Sequence, residues 1–259
     1  MKIFTDDLGR KITLNGTPQR MISLCPCVTE TLADIGAGER LVGRTRFCIH
    51  PKSALQHTKA VGGTKDVKYE RVHALKPDLV IAVKEENTLE IVETLAESYP
   101  VFVLDIKTVA EGIRMIGDLG KLTDCETKAN RLQSQVSAQW NEAKIAISEA
   151  SVLYVIWQNP YMSVGKDTYI HDLITALGGQ NVAFSLNGRY PEFTPESFAE
   201  SPQKVWLSSE PFPFQEKHLA AFQAMFPRAE IRIVDGEAFS WYGTHLGKKI
   251  TYLRTLFSS

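Results

Sequence analysis

The chain has 259 residues, 44% of them hydrophobic and 23% charged, the make-up of a globular protein with apolar mass for two modest cores. Its 29 basic and 30 acidic residues leave a net charge of −1, with no basic run interleaved with aromatics, which argues against nucleic acid as a partner. No apolar stretch reaches the ~18 residues of a membrane-spanning helix, so insertion into a bilayer is not expected.

Residues 1–14 carry no leader pattern of basic, apolar and small residues. They read as a β-hairpin turning at Asp7, Leu8 and Gly9. The expectation is a cytoplasmic chain, or a mature form whose leader has been removed. Strand patterns follow at residues 20–24, 41–44, 79–83 and 101–104, alternating with helices at 30–35, 69–75 and 88–98. Asn87 with Glu90 three residues on predicts the cap of the third helix, and Thr108 with Glu111 that of a helix over 108–122. Residues 124–150 hold no Gly or Pro, and Ala129, Leu132, Val136, Trp140, Ala143 and Ile147 recur at steps of three or four. That spacing predicts one helix of about 26 residues, ~39 Å long. The pattern then restarts: strand 152–157, an extended run 161–164, helix 169–177, strand 204–207, helix 215–226, strand 231–234 and a last helix over 244–257. The expected fold is α/β: two Rossmann-like lobes with mostly parallel sheets, residues 1–123 and 151–259, joined by a single long backbone helix at 124–150.

The opening KIFTDDLGRKITL, the stretch RMISLCPCVTETLADIGAGERLVG, the strand entry ALKPDLVIA and the later PESFAESPQKVWL, in that order, resemble class III substrate-binding proteins of the vitamin B12 and ferric siderophore type. The stretches GGTK, KEEN, RYPE, SSEPFPF and FSWYG are most similar to those of the helical-backbone metal receptors. The resemblance implies a non-enzymatic, monomeric receptor that holds a small-molecule metal chelate in a cleft between lobes, delivers it to an ABC permease and resides in the periplasm. It also implies docking onto the permease through Glu30 and Glu196. As independent physics, a carboxylate in a first helical turn is stabilised by the helix dipole with no partner at all.

Ligands of open α/β sheets bind where strands end. Loops placed there bring together Cys25, Pro26, Cys27, Arg46, Phe47, Cys48, His50, Thr64, Lys65, Lys84, Glu85 and Asn87 from the first half. The second half supplies Tyr161, Met162, Arg189, Tyr190, Glu210, Phe212, Phe214, Phe239, Ser240, Trp241, Tyr242 and His245. The rings offer apolar area to a large rigid chelate, or else close the edges of the sheets. The basic residues fit an anionic ligand, or else pair with nearby carboxylates. Where B12 receptors carry a tryptophan, this chain has Val61-Gly62-Gly63-Thr64, which turns the expectation from cobalamin itself toward an anionic chelate.

Cys25-Pro26-Cys27 with Cys48 and His50 offers soft thiolates and an imidazole, fit to hold zinc or another thiophilic metal or to ligate the metal of a bound chelate, or else buried inert thiols. One residue between the first two thiols, not the two to four of structural zinc sites, favours the inert reading, with no resident metal or cofactor expected. A cytoplasmic metal- or cofactor-dependent enzyme using the Cys and His loops is the other class to weigh. None of HExxH, GxSxG, GxGxxG or GxxxxGK[ST] accompanies the six histidines.

Overall fold

The computed structural model describes residues 1–144 and 149–257. The chain divides into two units, the first gathering Met1–Ile106, Ala110–Ser137 and Tyr242–Gly247, the second Lys107–Val109, Ala138–Trp241 and the residues from Lys248 on.

In the first unit β1 (Lys2–Thr5) and β2 (Lys11–Leu14) form the expected hairpin. Asp6 accepts from Leu8 N and Arg10 N at its turn, and Gly9 supplies the positive φ of 78°. The parallel sheet has strands β3 (Met21–Ser23), β4 (Leu41–Arg44), β5 (Lys59–Ala60), β6 (Leu79–Val83) and β7 (Val101–Leu104), in the order β5-β4-β3-β6-β7. All five residues of β6, LVIAV, are buried, as a strand covered on both faces requires. The intervening helices are α1 (Pro26–Asp34), α2 (Lys52–Leu55), α3 (Tyr69–Leu75) and α4 (Leu89–Ala96).

Helix α1 begins four residues earlier than the apolar period predicts. Pro26 stands at its first position, where the missing N–H costs nothing. Helix α4 is capped by Thr88, whose hydroxyl accepts from Ile91 N, and not by Asn87, whose side chain is committed elsewhere.

Helices α5 (Val109–Leu122) and α6 (Glu126–Ala143) are separated by a turn with Asp124 at φ 53°. A Cβ on Gly120 would lie 2.3 Å from Ala129 Cβ, so glycine lets α5 and α6 approach closely. The single helix expected over 124–150 is thus corrected. It starts two residues later because Asp124 is left-handed, and Glu149 and Ala150 are not helical. Residues 145–148, with Ile147, lie outside the described residues. The 18 residues of α6 span about 27 Å.

The second unit has strands β8 (Ser151–Trp157), β9 (Met162–Ser163), β10 (Gln180–Asn181), β11 (Lys204–Ser208) and β12 (Glu230–Val234). The order β10-β8-β11-β12 is parallel, and β9 lies antiparallel on β8. Its helices are α7 (Tyr169–Ala176), α8 (Leu219–Met225), α9 (Gly236–Ser240) and α10 (Thr244–Phe257), the last divided between the units at Gly247. The helix expected over 215–226 is a 3-10 turn, Glu216–His218, followed by α8. Leu153, Val155, Val205, Leu207, Phe214 and Phe222 form the core of this unit. No helix among the described residues is long and apolar enough to cross a membrane.

Candidate functional site

In the first unit, the loops at the C-terminal ends of β3, β4, β5 and β6 are tied to one another. Asn87 is 4% exposed: its Oδ1 accepts from Val83 N (2.8 Å), and its Nδ2 donates to Thr64 O (3.0 Å) and Leu24 O (3.3 Å). One amide therefore fixes the ends of three strands, with Thr64 buried beside it. Cys48, fully buried, holds the loop after β4, its sulfur within 3.1 Å of Thr29 Oγ1 and 3.2 Å of Thr45 Oγ1. Burial pushes its thiol up, while those two hydroxyls pull it back. Beyond it the same loop turns Phe47 (48% exposed) and Ile49 to solvent, with His50 half-buried.

Arg46 sits 4.8 Å from the Phe47 ring centroid and bonds Asp66 at 3.0 Å. The Arg46 hydrogen bond holds the Asp66 carboxyl below the usual aspartate range. The glycines between them make this possible. Gly62 takes φ 124°, and a Cβ on Gly63 would lie 2.1 Å from Asp66 Oδ1. The absence of a ring in this segment therefore has a local cause: the turn admits no side chain at either position.

Lys65 donates to Glu85 O (2.7 Å) and Lys84 pairs with Asp105 (2.7 Å). Arg46 and Lys84 thus pair with Asp66 and Asp105, and Lys65 lies within electrostatic reach of Glu86. Surface pairs of this kind are weak and open to exchange for a ligand anion.

Glu86, half-buried on the same edge in KEEN, enters the sequence reading as part of the loop 84–87 and as a carboxylate partner for the basic residues. Burial pushes its carboxyl above the ordinary range, against the pull of Lys65 and the Thr64 hydroxyl. An acid raised by folding stabilises the fold while protonated, and that contribution is lost as pH rises from its unfolded value through its folded one. Glu86→Gln removes the ionisation. The variant is expected to melt like the parent near pH 4 and above it near pH 8, windows set by ordinary carboxylate titration. A pH series of thermal melts checks this, and a variant that melts lower at neutral pH contradicts it.

Cys25, Pro26 and Cys27 are buried at the start of α1, the two sulfurs 3.3 Å apart. Burial and then the Cys27 contact push the Cys25 thiol well above its usual range. Tyr242 belongs to this unit, is buried beside Cys27, and burial raises its hydroxyl likewise. His245 is buried against Glu30, Nδ1 to Oε2 2.7 Å. This corrects the expected surface position of Glu30, which lies in the second turn of α1, not the first, and has an internal partner.

In the second unit, Trp157 ends β8 with 40% of its surface exposed and packs edge-on against half-buried Phe212, ring centroids 5.8 Å apart. Phe212 also meets Phe214, which is buried in the core. Half-buried Tyr161 packs on Phe193 and Phe222, and Met162 is half-buried in β9. Glu210 and Ser240 come together, Ser240 Oγ donating to Glu210 Oε1 at 2.5 Å.

Arg189 lies beside Gly165, accepting its N–H, with its own Nε bonded to Asp167 O and its guanidinium 5.7 Å from exposed Tyr190. Phe239 is corrected from loop to helix. It lies in α9, fully buried against Tyr154 (4.8 Å) and Trp206 (5.5 Å), and Trp241 after it is buried as well. Glu196 is exposed in the 3-10 turn Pro195–Ser197, its carboxyl held below the usual range by the Thr194 hydroxyl.

Two parallel α/β units whose strand-end loops expose rings beside cations define a small-molecule binding protein. The sequence model of the periplasmic binding protein family, Peripla_BP_2, matches residues 21–226, and the chain belongs to that family. The vitamin B12-binding protein of Vibrio campbellii is 27% identical over 200 residues, 75% of this chain and 72% of that protein. The crystal structure of the periplasmic vitamin B12 binding protein BtuF of Vibrio cholerae matches 93% of this chain and 96% of its own, with a TM-score of 0.79 at 19% identity. The periplasmic heme-binding protein RhuT of Roseiflexus sp. RS-1 matches 94% and 98%, with a TM-score of 0.78 at 21% identity. At those identities the two structures establish the fold. The family sets aside the enzyme alternative: the chain is a binding protein, not an enzyme.

Proposed function

We propose that this protein is the ligand-binding receptor of an ABC-type uptake system and takes a metal chelate of the cobalamin, haem or ferric siderophore class, with an anionic member favoured. The observation that carries the reading is the exposure of Phe47, on the loop after β4, and of Trp157, the last residue of β8, each at the C-terminal end of a parallel strand. Full burial of such a ring is worth about 1.5–3 kcal/mol, and with 48% and 40% of their surfaces in water the two leave a little under half of that for a flat apolar ligand to recover. Arg46 over Phe47 adds a cation whose surface partner can be exchanged for a ligand carboxylate. The Vibrio campbellii relative supports the cobalamin end of the class. The Gly62-Gly63 turn and its arginine favour the anionic end.

Thermal melts against cobalamin, haem, ferric siderophores and citrate-type chelates test the reading. A true ligand is expected to stabilise the protein by about 2.7 kcal/mol at a hundredfold excess over its Kd. Phe47→Ala and Trp157→Ala are each expected to weaken that ligand roughly 3–10-fold while the unliganded melt stays put. Arg46→Ala should weaken an anionic chelate and leave a neutral one nearly unchanged. A panel in which no chelate moves the melt would sink the proposal. Permease docking falls to the exposed Glu196: Glu196→Ala should lower uptake by cells without altering ligand affinity, and unchanged uptake would remove it from that role.

A further inference from the structure

We propose that Cys25 and Cys27 form a two-sulfur site for a soft, thiophilic ion in bent coordination, with the Tyr242 hydroxyl as a third donor. The proposal stands apart from the chelate reading, and its test uses no chelate. The sulfurs are 3.3 Å apart, each residue is 3% exposed, and the buried Tyr242 lies beside Cys27.

Their placement is rigid. Cys25 caps α1 in an extended conformation, Pro26 fixes the next φ, and the Cys25 carbonyl accepts from both Ser23 Oγ and Thr29 Oγ1 at 3.0 Å. Metal–sulfur bonds of about 2.3 Å set two thiolates about 3.8 Å apart at a tetrahedral angle and about 4.6 Å apart in a line. The observed separation is near the bent arrangement and far from the linear one. Two thiolates around a divalent ion are neutral in sum, which suits a site withdrawn from water. Cys48 does not join, since its sulfur is held by Thr29 and Thr45, and no group of three or more His, Cys, Asp or Glu side chains able to hold a metal gathers among the described residues. A site of two sulfurs and one oxygen selects for softness, the preference of thiolate ligands.

Phenylarsine oxide and cadmium(II) are the probes, each added alone to the reduced full-length protein. With the arsenical two As–S bonds form, the two thiol hydrogens leave with the oxide oxygen as water, and arsenic stays trivalent. Native mass spectrometry should show one equivalent of either probe, and the melting temperature should rise, because a probe held by the folded state stabilises it. Cys25→Ser and Cys27→Ser should each abolish arsenical uptake and weaken cadmium at least roughly tenfold, no less than the loss of an outer-shell partner does. Cys48→Ser and Cys125→Ser should change neither, and Tyr242→Phe should weaken cadmium alone. A fall in the melt, which marks capture by the unfolded chain, overturns the proposal without recourse to any variant. So does arsenical uptake that survives in either single serine variant, or cadmium affinity that either one leaves unchanged.

Discussion

Asn87→Ala is expected to cost roughly 3 kcal/mol or more, because it strands Val83 N–H and the carbonyls of Leu24 and Thr64 together, at about 1–3 kcal/mol for each buried group left unsatisfied. For a chain of this size that is a fall of roughly 6–12 °C in the transition of the first unit. The loss reaches function as well, since the three loops released are those that present Cys25, Thr64, Lys65 and Lys84. Asn87→Asp separates the hydrogen bonds from mere size. A carboxylate can still accept from Val83 N but turns its second oxygen toward two carbonyls, so this variant should be least stable at neutral pH and recover as acid protonates it. A loss under about 1 kcal/mol for the alanine variant would show that water replaces the amide at little cost, and that the strand ends are held by packing instead.

The same residue shows what local pattern can and cannot decide. The α/β order is legible because β6 and β7 are short, wholly apolar runs and α4 and α5 keep a helical period, signals contained within each element. Asn87 and Thr88 are both competent caps, and the choice between them is made by Leu24 O and Thr64 O, which are remote in sequence. Phe239 read as a loop residue because FSWYG ends in glycine, yet the rings that bury it, Tyr154 and Trp206, come from β8 and β11. Helical period along residues 124–150 fixed neither end of α6, since Asp124 turns left-handed while Arg40 binds the adjacent Thr123 carbonyl. Phe47 and Arg46 were legible as edge residues because the strand before them was. The Asp66 partner required the Gly62-Gly63 turn, which shows as two glycines in sequence but declares its shape only in three dimensions.

Glu30→Ala is expected to cost about 3–5 kcal/mol, the loss that follows when one member of a buried ionisable pair is removed and the other is stranded. Both partners are 4% exposed, and the 2.7 Å contact joins α1 to the start of α10 within the first unit. Around it Thr244 N donates to Thr31 Oγ1 (3.3 Å), and Thr244 Oγ1 donates to Asp34 Oδ2 (2.7 Å). Gly243 takes φ 71°, where a Cβ would lie 2.5 Å from Met115 Cε and Thr31 Oγ1. The pair therefore anchors a segment that is distant in sequence from the rest of its unit. Amide hydrogen exchange at residues 242–247 should accelerate in the alanine variant more than at β6 or β7. Glu30→Gln keeps an oxygen acceptor for the imidazole and should lose less. The double variant with His245→Ala should lose less than the sum of the single changes, with a coupling of about 0.5–3 kcal/mol. A glutamate used only to dock a permease would behave otherwise: Glu30→Ala would then lower uptake with the melt and the exchange at 242–247 unchanged. That outcome would place the residue's role at the partner surface and leave the buried contact with His245 energetically neutral.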